Sequence, residues 1–353
     1  MPQIKDLNLQ ELEQCLAKWG EPLFRAKQIF AWIYQKKAEG FSEMSDLPAA
    51  LRERLENSFS LKSLEVSMAL KSVDGTEKFL FRLKDGNLIE AVSIPTEKRV
   101  TGCISSQAGC KYGCVFCASG KAGFKRNLGV AEIIEQALFL SKSSVGRKLT
   151  HLVFMGTGEP LDNYDHLLKA IRIINSSQGM NIGARRITIS TSGLVPGIKR
   201  LASEKIQLEL SVSLHAPNDA IRSRLMPINK KYPLKELLGA CRDYFKLTNR
   251  QVTFEYTMIR EINSGLQNAR ELGKILKGLN CKLNLIPVNP VRDPRFQPPE
   301  KIEIIRFQKE LLSRGVMVTL RVPRGQDIDA ACGQLRLKFA GCPGKEKKEG
   351  LNA

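Results

Sequence analysis

Long apolar runs and histidine are both scarce in this sequence. No stretch of its 353 residues reaches the roughly 18 consecutive apolar residues of a membrane-spanning helix, which argues against an integral membrane protein. The first residues, MPQIKDLNLQELEQ, lack the basic and apolar regions of a secretory signal peptide, so we expect a cytoplasmic protein. With three histidines in the whole chain, few imidazoles are available as metal ligands.

Acidic residues are outnumbered by basic ones, since Lys and Arg total 55, Asp and Glu total 36, and the formal net charge is +19. A surface of this charge attracts polyanions, and nucleic acid is the commonest of these. A basic enzyme whose charge serves no specific partner is the alternative. Basic pairs that offer phosphate contacts are Lys199 with Arg200, Lys230 with Lys231, and Arg321 with Arg324.

Two short regions precede the main body of the chain. Apolar residues recur at helical spacing from Leu9 to Trp19, with Asn8 placed as a cap, and such patterns predict a small helical domain over residues 1–65. Short alternating runs separated by Asp-Gly pairs then predict a β-hairpin linker over residues 66–95.

From Val100 onward, β-rich runs alternate with helical segments. The runs are TGCISS, THLVFMG, RITIST, QLELSVSLH, VTFEYTM and CKLNLIPV, and a further run, VMVTLRV, precedes the end of the chain. This α/β alternation predicts a parallel sheet that is closed or partly closed into a TIM-type barrel. We expect this core over residues 96–340 and a basic, polar tail over residues 341–353.

Polar residues stand where several of the predicted strands end. GTGEP follows the second strand, Ser190 to Ser192 end the third, SLHAPND ends the fourth and IPVNP ends the sixth. Functional residues of such barrels cluster at the carboxyl ends of the strands, so we expect a ligand site here. The glycines of GTGEP allow a ligand to approach the backbone closely, and Glu159 offers a carboxylate to an ammonium group, although an ordinary β–α turn is the alternative.

Three cysteines lie close together in the segment GCKYGCVFCASG. Cys110, Cys114 and Cys117 have the spacing C-x3-C-x2-C, and they follow the first predicted barrel strand. A structural zinc site requires four ligands, and the fourth is missing locally. An iron–sulfur cluster held by three cysteines leaves one iron open to a cofactor or substrate, so the spacing favours such a cluster.

Six segments follow one another in the order of a known family: GCKYGCVFCASGKAGFKRNL, FMGTGEPLDN, ISTSG, SLHAPND, IPVNP and DIDAACGQL. Together they resemble the RlmN family of radical S-adenosylmethionine (SAM) enzymes over nearly the whole chain, including the helical N-terminus. One departure is Thr157, where the family usually has methionine. The resemblance implies a partial (β/α)6 barrel and an enzyme that methylates C2 of an adenosine in 23S ribosomal RNA and in tRNA.

The resemblance also implies the cofactors and the residues that hold them. Cys110, Cys114 and Cys117 would bind a 4Fe-4S cluster, and two SAM molecules would be used in each turnover. Gly158 and Glu159 would contact the amino group of SAM. The remaining SAM contacts implied by the family are Ser190, Ser213, Leu214, His215 and Asn289.

By the same resemblance, three further residues carry the chemistry. Cys332, in DIDAACGQL, would accept a methyl group from one SAM, and a radical generated from the second SAM would activate that S-methyl group to add to adenine. Glu90 would then accept a proton, and Cys103 would release the RNA by forming a transient disulfide with Cys332. Without the family match, Cys332 is a small buried hydrophobe and Glu90 a solvated carboxylate at a strand edge.

The expected partners are RNA and an electron donor such as a flavodoxin-type reductant, and we expect a monomer that does not bind membranes. The helical residues 1–65 are expected to help bind RNA. A related Cfr-type enzyme, which methylates C8 of adenine, is the nearest alternative. A non-catalytic RNA-binding protein with a structural zinc loop is an alternative of another class.

Overall fold

A computed structural model describes residues 1–121, 123–143, 147–289, 296–321 and 324–328. The α-helices are Leu9–Ala17 (α1), Phe24–Phe30 (α2), Ala49–Ser58 (α3), Ala118–Lys121 (α4), Val130–Ser143 (α5), Tyr164–Asn175 (α6), Val195–Ala202 (α7), Asp219–Leu225 (α8), Leu234–Thr248 (α9), Leu266–Leu276 (α10) and Lys301–Ser313 (α11). The strands are Leu64–Lys71 (β1), Glu77–Leu83 (β2), Leu88–Pro95 (β3), Val100–Cys103 (β4), Gln107–Gly109 (β5), Phe124–Asn127 (β6), Leu149–Phe154 (β7), Ile187–Thr191 (β8), Glu209–Ser213 (β9), Val252–Met258 (β10), Cys281–Pro287 (β11) and Met317–Leu320 (β12).

The N-terminal residues form short helices, as the sequence pattern predicts. Helix α1 begins with a capping box, in which Asn8 and Glu11 each accept a hydrogen bond from the other's backbone N–H. Its apolar side chains Leu12 and Leu16 are fully buried. After α1, Gly20 adopts a left-handed conformation with φ of 80°, which only glycine adopts without strain.

One ten-stranded sheet runs through the molecule in the order β1-β2-β3-β4-β7-β8-β9-β10-β11-β12. Pairing from β1 to β4 is antiparallel, and pairing from β4 to β12 is parallel. The segment 66–95, predicted as a hairpin linker, lies within three strands that join the core sheet, because β3 pairs with β4. The parallel part contains every β-rich run predicted for the core, and it ends on β12 without returning to β4 in the described part of the chain. The predicted α/β fold with a partial barrel is therefore confirmed.

The two faces of the parallel strands differ in polarity. Side chains that point toward the helices are apolar and buried, as Val212, Phe254 and Leu283 illustrate. Side chains alternate between the two faces along each strand, and directly paired residues on neighbouring strands share a face. The residues next to these apolar ones therefore point to the opposite, concave face, where they are polar. Its register aligns Ser213, Glu255 and Asn284 across β9, β10 and β11. The hydrophobic core thus lies between sheet and helices, and the concave face is left for ligands.

Buried polar contacts fix the N-terminal helices to the core. Lys5 lies beneath α5, where its Nζ donates to the carbonyl of Leu61 (2.6 Å) and to Oε2 of Glu135 (3.2 Å). Asp6 accepts a hydrogen bond from the backbone N–H of Ala131, in the first turn of α5. These hydrogen bonds hold the N-terminal residues against α5 of the barrel.

Candidate active site

A cavity of about 320 Å³ opens at the carboxyl ends of the parallel strands. Most of the cysteine and SAM-contact residues predicted from the sequence line it: Cys110, Cys114, Cys117, Gly158, Glu159, Ser190, Ser213, His215 and Asn289. Tyr112, Phe116, Met155, Met226 and Val288 add apolar surface. The fold therefore brings together residues from Cys110 to Arg321, which are far apart in the sequence.

The cysteine loop is held on both sides. Strands β5 and β6 form a two-stranded ladder at its base, and the N–H of Cys110 donates to the carbonyl of Gly123 (3.1 Å). A Cβ atom at Gly109 would lie 1.8 Å from that same carbonyl oxygen, so only glycine fits there. On the other side, the N–H of Val115 donates to the carbonyl of Leu225 at the end of α8 (3.1 Å). No sequence pattern predicted the short β5–β6 ladder.

The donor set of this loop suits an iron–sulfur cluster. Burial raises the pKa of the Cys110 thiol to about 11, and the positive charge of a bound metal would favour the thiolate. Cys110, Cys114 and Cys117 all line the same cavity. Three thiolates are the ligand set of a cluster that keeps one iron open to a cofactor.

Glu159 is a buried carboxylate in the cavity wall. Its Oε2 accepts hydrogen bonds from the N–H (2.6 Å) and Oγ (2.7 Å) of Ser192, and its Oε1 accepts one from the N–H of Leu161 (3.1 Å). Burial raises the pKa of this carboxyl, and no described Lys or Arg forms an ion pair with it. A ligand ammonium group would supply the missing positive charge, which fits the amino group of SAM.

The turn before Glu159 leaves no room for a side chain. Gly158 has φ of 109°, and a Cβ atom there would lie 2.5 Å from Cβ of Gln107. The amide of Gln107 in turn accepts a hydrogen bond from the N–H of Glu159 (2.8 Å). The backbone at this strand end is therefore fixed close to the cavity by glycine and by a buried glutamine.

His215 is held as a neutral hydrogen-bond donor. Its Nδ1 accepts the backbone N–H of Thr257 (2.9 Å), which leaves the ring proton on Nε2. Burial, assisted by the charge of Arg222, lowers the pKa of His215 to about 3, so the ring is neutral at physiological pH. The neighbouring Leu214 is fully buried and does not line the cavity; its N–H donates to the carbonyl of Glu255 (3.0 Å). Leu214 is therefore the one sequence-predicted SAM contact that the structure places outside the cavity lining.

A buried arginine that sequence reasoning missed ties these strand ends together. Arg222, on α8, is fully buried and donates to the carbonyls of Ser192 (2.8 Å), Ser213 (3.0 Å) and Leu214 (3.2 Å). Its remaining amino group donates to Oδ1 of Asn229 (2.9 Å). Arg222 thus fixes the ends of β8 and β9 relative to each other. Its only sequence signal is the position just after SLHAPND.

Cys103 and Glu90 lie outside the cavity lining but on the same concave face. Cys103 pairs with Val92 on one side and with Val153 on the other, and Glu90 lies two residues before Val92. Glu90 is only 3% exposed and forms an ion pair with Lys78 (3.6 Å), so the solvated strand-edge alternative is wrong. Cys332 lies outside the described residues.

Comparison with known proteins agrees with this site. A family model described as "Ribosomal RNA large subunit methyltransferase N-terminal domain" matches residues 3–61, and the radical SAM superfamily model matches residues 104–272. A protein of Bacillus cytotoxicus named "Probable dual-specificity RNA methyltransferase RlmN" is 46% identical over 339 residues, covering 96% of this chain and 94% of its own length. The chain belongs to the RlmN family of RNA methyltransferases. A relative of the same name from Clostridium novyi is 45% identical and is covered over 99% of its length.

A solved structure is also similar to this chain over nearly its whole length. The crystal structure of a radical SAM methyltransferase from Sphaerobacter thermophilus superimposes with a TM-score of 0.92 at 46% identity, over 95% of this chain and 99% of that one. The chain is thus an enzyme of the radical SAM superfamily, and its cofactors are a 4Fe-4S cluster and SAM. A non-catalytic zinc protein is excluded, and the Cfr-type alternative is not favoured.

Among the described helices, none is long and apolar enough to cross a membrane.

Proposed function

We propose that this chain methylates C2 of an adenosine in 23S ribosomal RNA and in tRNA, as a monomer in the cytoplasm. The observation that supports the chemistry best is the single cavity in which three cysteines and the uncompensated carboxylate of Glu159 face one another. In the described part of the chain the barrel does not close between β12 and β4, and we infer that the target base approaches the cavity from the carboxyl ends of the strands.

The residues at this edge divide the work of holding the cofactors. Cys110, Cys114 and Cys117 would bind the cluster, while Glu159 and the backbone at Gly158 would hold the amino group of SAM. The remaining contacts come from neighbouring strand ends, at Ser190, Ser213, Leu214, His215 and Asn289. When bound, the cluster supplies the electron that cleaves SAM reductively.

The chain's own side chains carry the methyl group and release the RNA. Cys332 holds the methyl group as a thioether and, once that group has lost a hydrogen atom, becomes joined through the methylene carbon to C2 of the adenine. The adduct must then lose one electron, which would return to the cluster, and the C2 proton, which is accepted by Glu90, paired with Lys78 on the concave face. Cys103, as a thiolate, attacks the Cys332 sulfur; the carbon–sulfur bond breaks, the methylene carbon takes up a proton, and release of the methylated RNA leaves a disulfide for reduction.

The proposed partners are RNA and an electron donor, and the net charge and the four segments of the chain support RNA binding. Residues 1–65 form an accessory RNA-binding domain, 66–95 a β linker, 96–340 the radical SAM core with the Cys332 segment, and 341–353 a basic, polar tail. The net charge of +19 favours binding of the phosphate backbone. An electron donor such as a flavodoxin-type reductant supplies the cluster.

Nucleoside analysis tests this function directly. Unmodified 23S ribosomal RNA and tRNA are incubated with reconstituted, reduced enzyme and SAM, then digested and separated by liquid chromatography with mass detection. We expect 2-methyladenosine with the unaltered enzyme and none with Cys114→Ala, which lacks a cluster ligand. Formation of 8-methyladenosine alone would assign the enzyme to the Cfr type, and full activity of Cys114→Ala would rule out the radical mechanism.

A further inference from the structure

The cavity contains a second buried carboxylate, which none of the roles above uses. Glu255 lies on the concave face of β10, is 5% exposed and lines the cavity. Its Oε1 accepts hydrogen bonds from Oγ of Ser211 (2.8 Å) and Nδ2 of Asn284 (3.0 Å). These two donors fix the plane of the carboxylate from the strands on either side.

The other oxygen, Oε2, is buried and has no hydrogen-bond donor among the described residues. It forms an ion pair with Nη1 of Arg321 at 3.6 Å, which is close enough to balance the charge but too far for a hydrogen bond. Buried polar atoms in folded proteins are nearly always hydrogen-bonded. An oriented, unpaired acceptor in the wall of a cavity therefore indicates a donor that arrives with a ligand.

The position of Glu255 indicates which part of a ligand it meets. In the sheet register it lies between Ser213 of β9 and Asn284 of β11. The SAM contacts implied by the family resemblance lie on both sides of β10, at Ser213 and His215 before it and at Asn289 after it. A ligand that reaches from one group to the other must cross β10 above Glu255.

We propose that Glu255 is a binding residue for an adenosyl group, with Oε2 accepting a hydrogen bond from a ribose hydroxyl or from the exocyclic amine. The proposal rests on the assigned use of SAM in this cavity, and the adenosyl group in question is that of SAM. The adenosine of the RNA carries the same donors and is the other possible source, so the test separates the two.

The substitution Glu255→Gln probes this oxygen with little change of shape. The amide oxygen of the glutamine would keep the hydrogen bonds from Ser211 and Asn284. Its amide nitrogen would then stand in the place of Oε2. Because this nitrogen donates and cannot accept, the hydrogen bond from the ligand would be lost. Glu209→Gln is a matched control, because Glu209 lies on the same face of the adjacent strand, pairs with Arg250 and does not line the cavity. Iron content and melting temperature establish that both variants are folded and loaded.

Equilibrium binding of S-adenosylhomocysteine to the anaerobic holoenzyme, without RNA or reductant, is the measurement. We expect Glu255→Gln to bind at least about tenfold more weakly than the unaltered enzyme and Glu209→Gln to bind normally. Unchanged affinity of Glu255→Gln would overturn the proposal. A loss confined to RNA binding would assign Oε2 to the target adenosine instead and would equally overturn the assignment to SAM.

A second measurement needs no variant, which matters if Glu255→Gln does not fold. The unaltered holoenzyme is titrated with S-adenosylhomocysteine and with its 2′-deoxy, 3′-deoxy and N6-dimethyl analogues. One analogue should bind at least about tenfold more weakly, because it lacks the donor that Oε2 accepts. Equal affinity for S-adenosylhomocysteine and all three analogues would contradict the proposal for Glu255. This outcome is possible even if the same enzyme forms 2-methyladenosine, so the two proposals can fail separately.

Discussion

At the scale of single residues, the site turn contains a hydroxyl that the fold does not use. Thr157 is 1% exposed, and its Oγ1 has no hydrogen-bond partner in the part of the chain that the structure describes. Its backbone is fully engaged, since its N–H donates to Oγ of Ser105 (2.8 Å) and its carbonyl accepts from Ser106 and Gln107. The family usually has methionine at this position, which would bury no unpaired hydroxyl.

Removing that hydroxyl should stabilise the protein. We expect Thr157→Val to raise the free energy of unfolding by about 1 kcal/mol, because it removes an unsatisfied buried polar atom at nearly constant volume. Thr191→Val is the matched control: Oγ1 of Thr191 accepts hydrogen bonds from the N–H groups of Gly193 (3.1 Å) and Leu194 (3.3 Å). That variant should lose about 1 kcal/mol. Melting curves that move in the same direction for both variants would refute the account of Thr157.

At the scale of elements, the β5–β6 ladder positions the cysteine loop. The contact of Gly109 with the carbonyl of Gly123 is too close for any side chain. We therefore expect Gly109→Ala to separate the two strands, displace Cys110 and lower the iron and sulfide bound after reconstitution. Circular dichroism should change little, because the large sheet does not depend on this ladder.

Gly86→Ala separates this effect from simple backbone strain. Gly86 has a similar φ of 80°, but a Cβ atom there would meet nothing within 4 Å. The control should cost about 1 kcal/mol of stability and leave iron content unchanged. If Gly109→Ala binds iron as well as the Gly86→Ala control does, then the ladder does not position the cluster ligands.

The elements also show what sequence patterns can predict. Core strands such as β10 were predictable because their alternation reports one apolar and one polar face, and α1 was predictable from its cap and helical spacing. The β5–β6 ladder was not, because its strands are only three and four residues long and β5 ends in a glycine. Pairing of β3 with β4 depends on tertiary contacts, so the sequence could not reveal that residues 66–95 extend the core sheet.

The site was predictable to a different degree. The cysteine spacing and the strand-end motifs identified the residues of the cavity wall, because each has a local signature. Arg222, Glu255 and Lys78 have no such signature, since their importance comes from partners that only the fold supplies. Their burial, rather than their residue type, distinguishes them from the many solvated charges of this basic chain.

In the whole molecule, the residues that stabilise the fold and the residues of the active site lie on opposite sides of the sheet. Its helix-facing side holds the apolar core, and its concave side holds the cavity, Cys103 and Glu90. Lys5 and Asp6 hold the N-terminal residues against α5. We propose that the molecule works by covalent capture of its RNA substrate at Cys332.

The most direct test of that claim is a denaturing gel of Cys103→Ala enzyme after incubation with RNA, SAM and reductant. We expect a protein–RNA species that migrates above the free protein and collapses after ribonuclease treatment, because without Cys103 the adduct on Cys332 is not released. The double variant Cys103→Ala with Cys332→Ala should bind cluster and SAM yet form no such species. A Cys103→Ala enzyme that turns over freely, or an adduct that persists without Cys332, would contradict the covalent route.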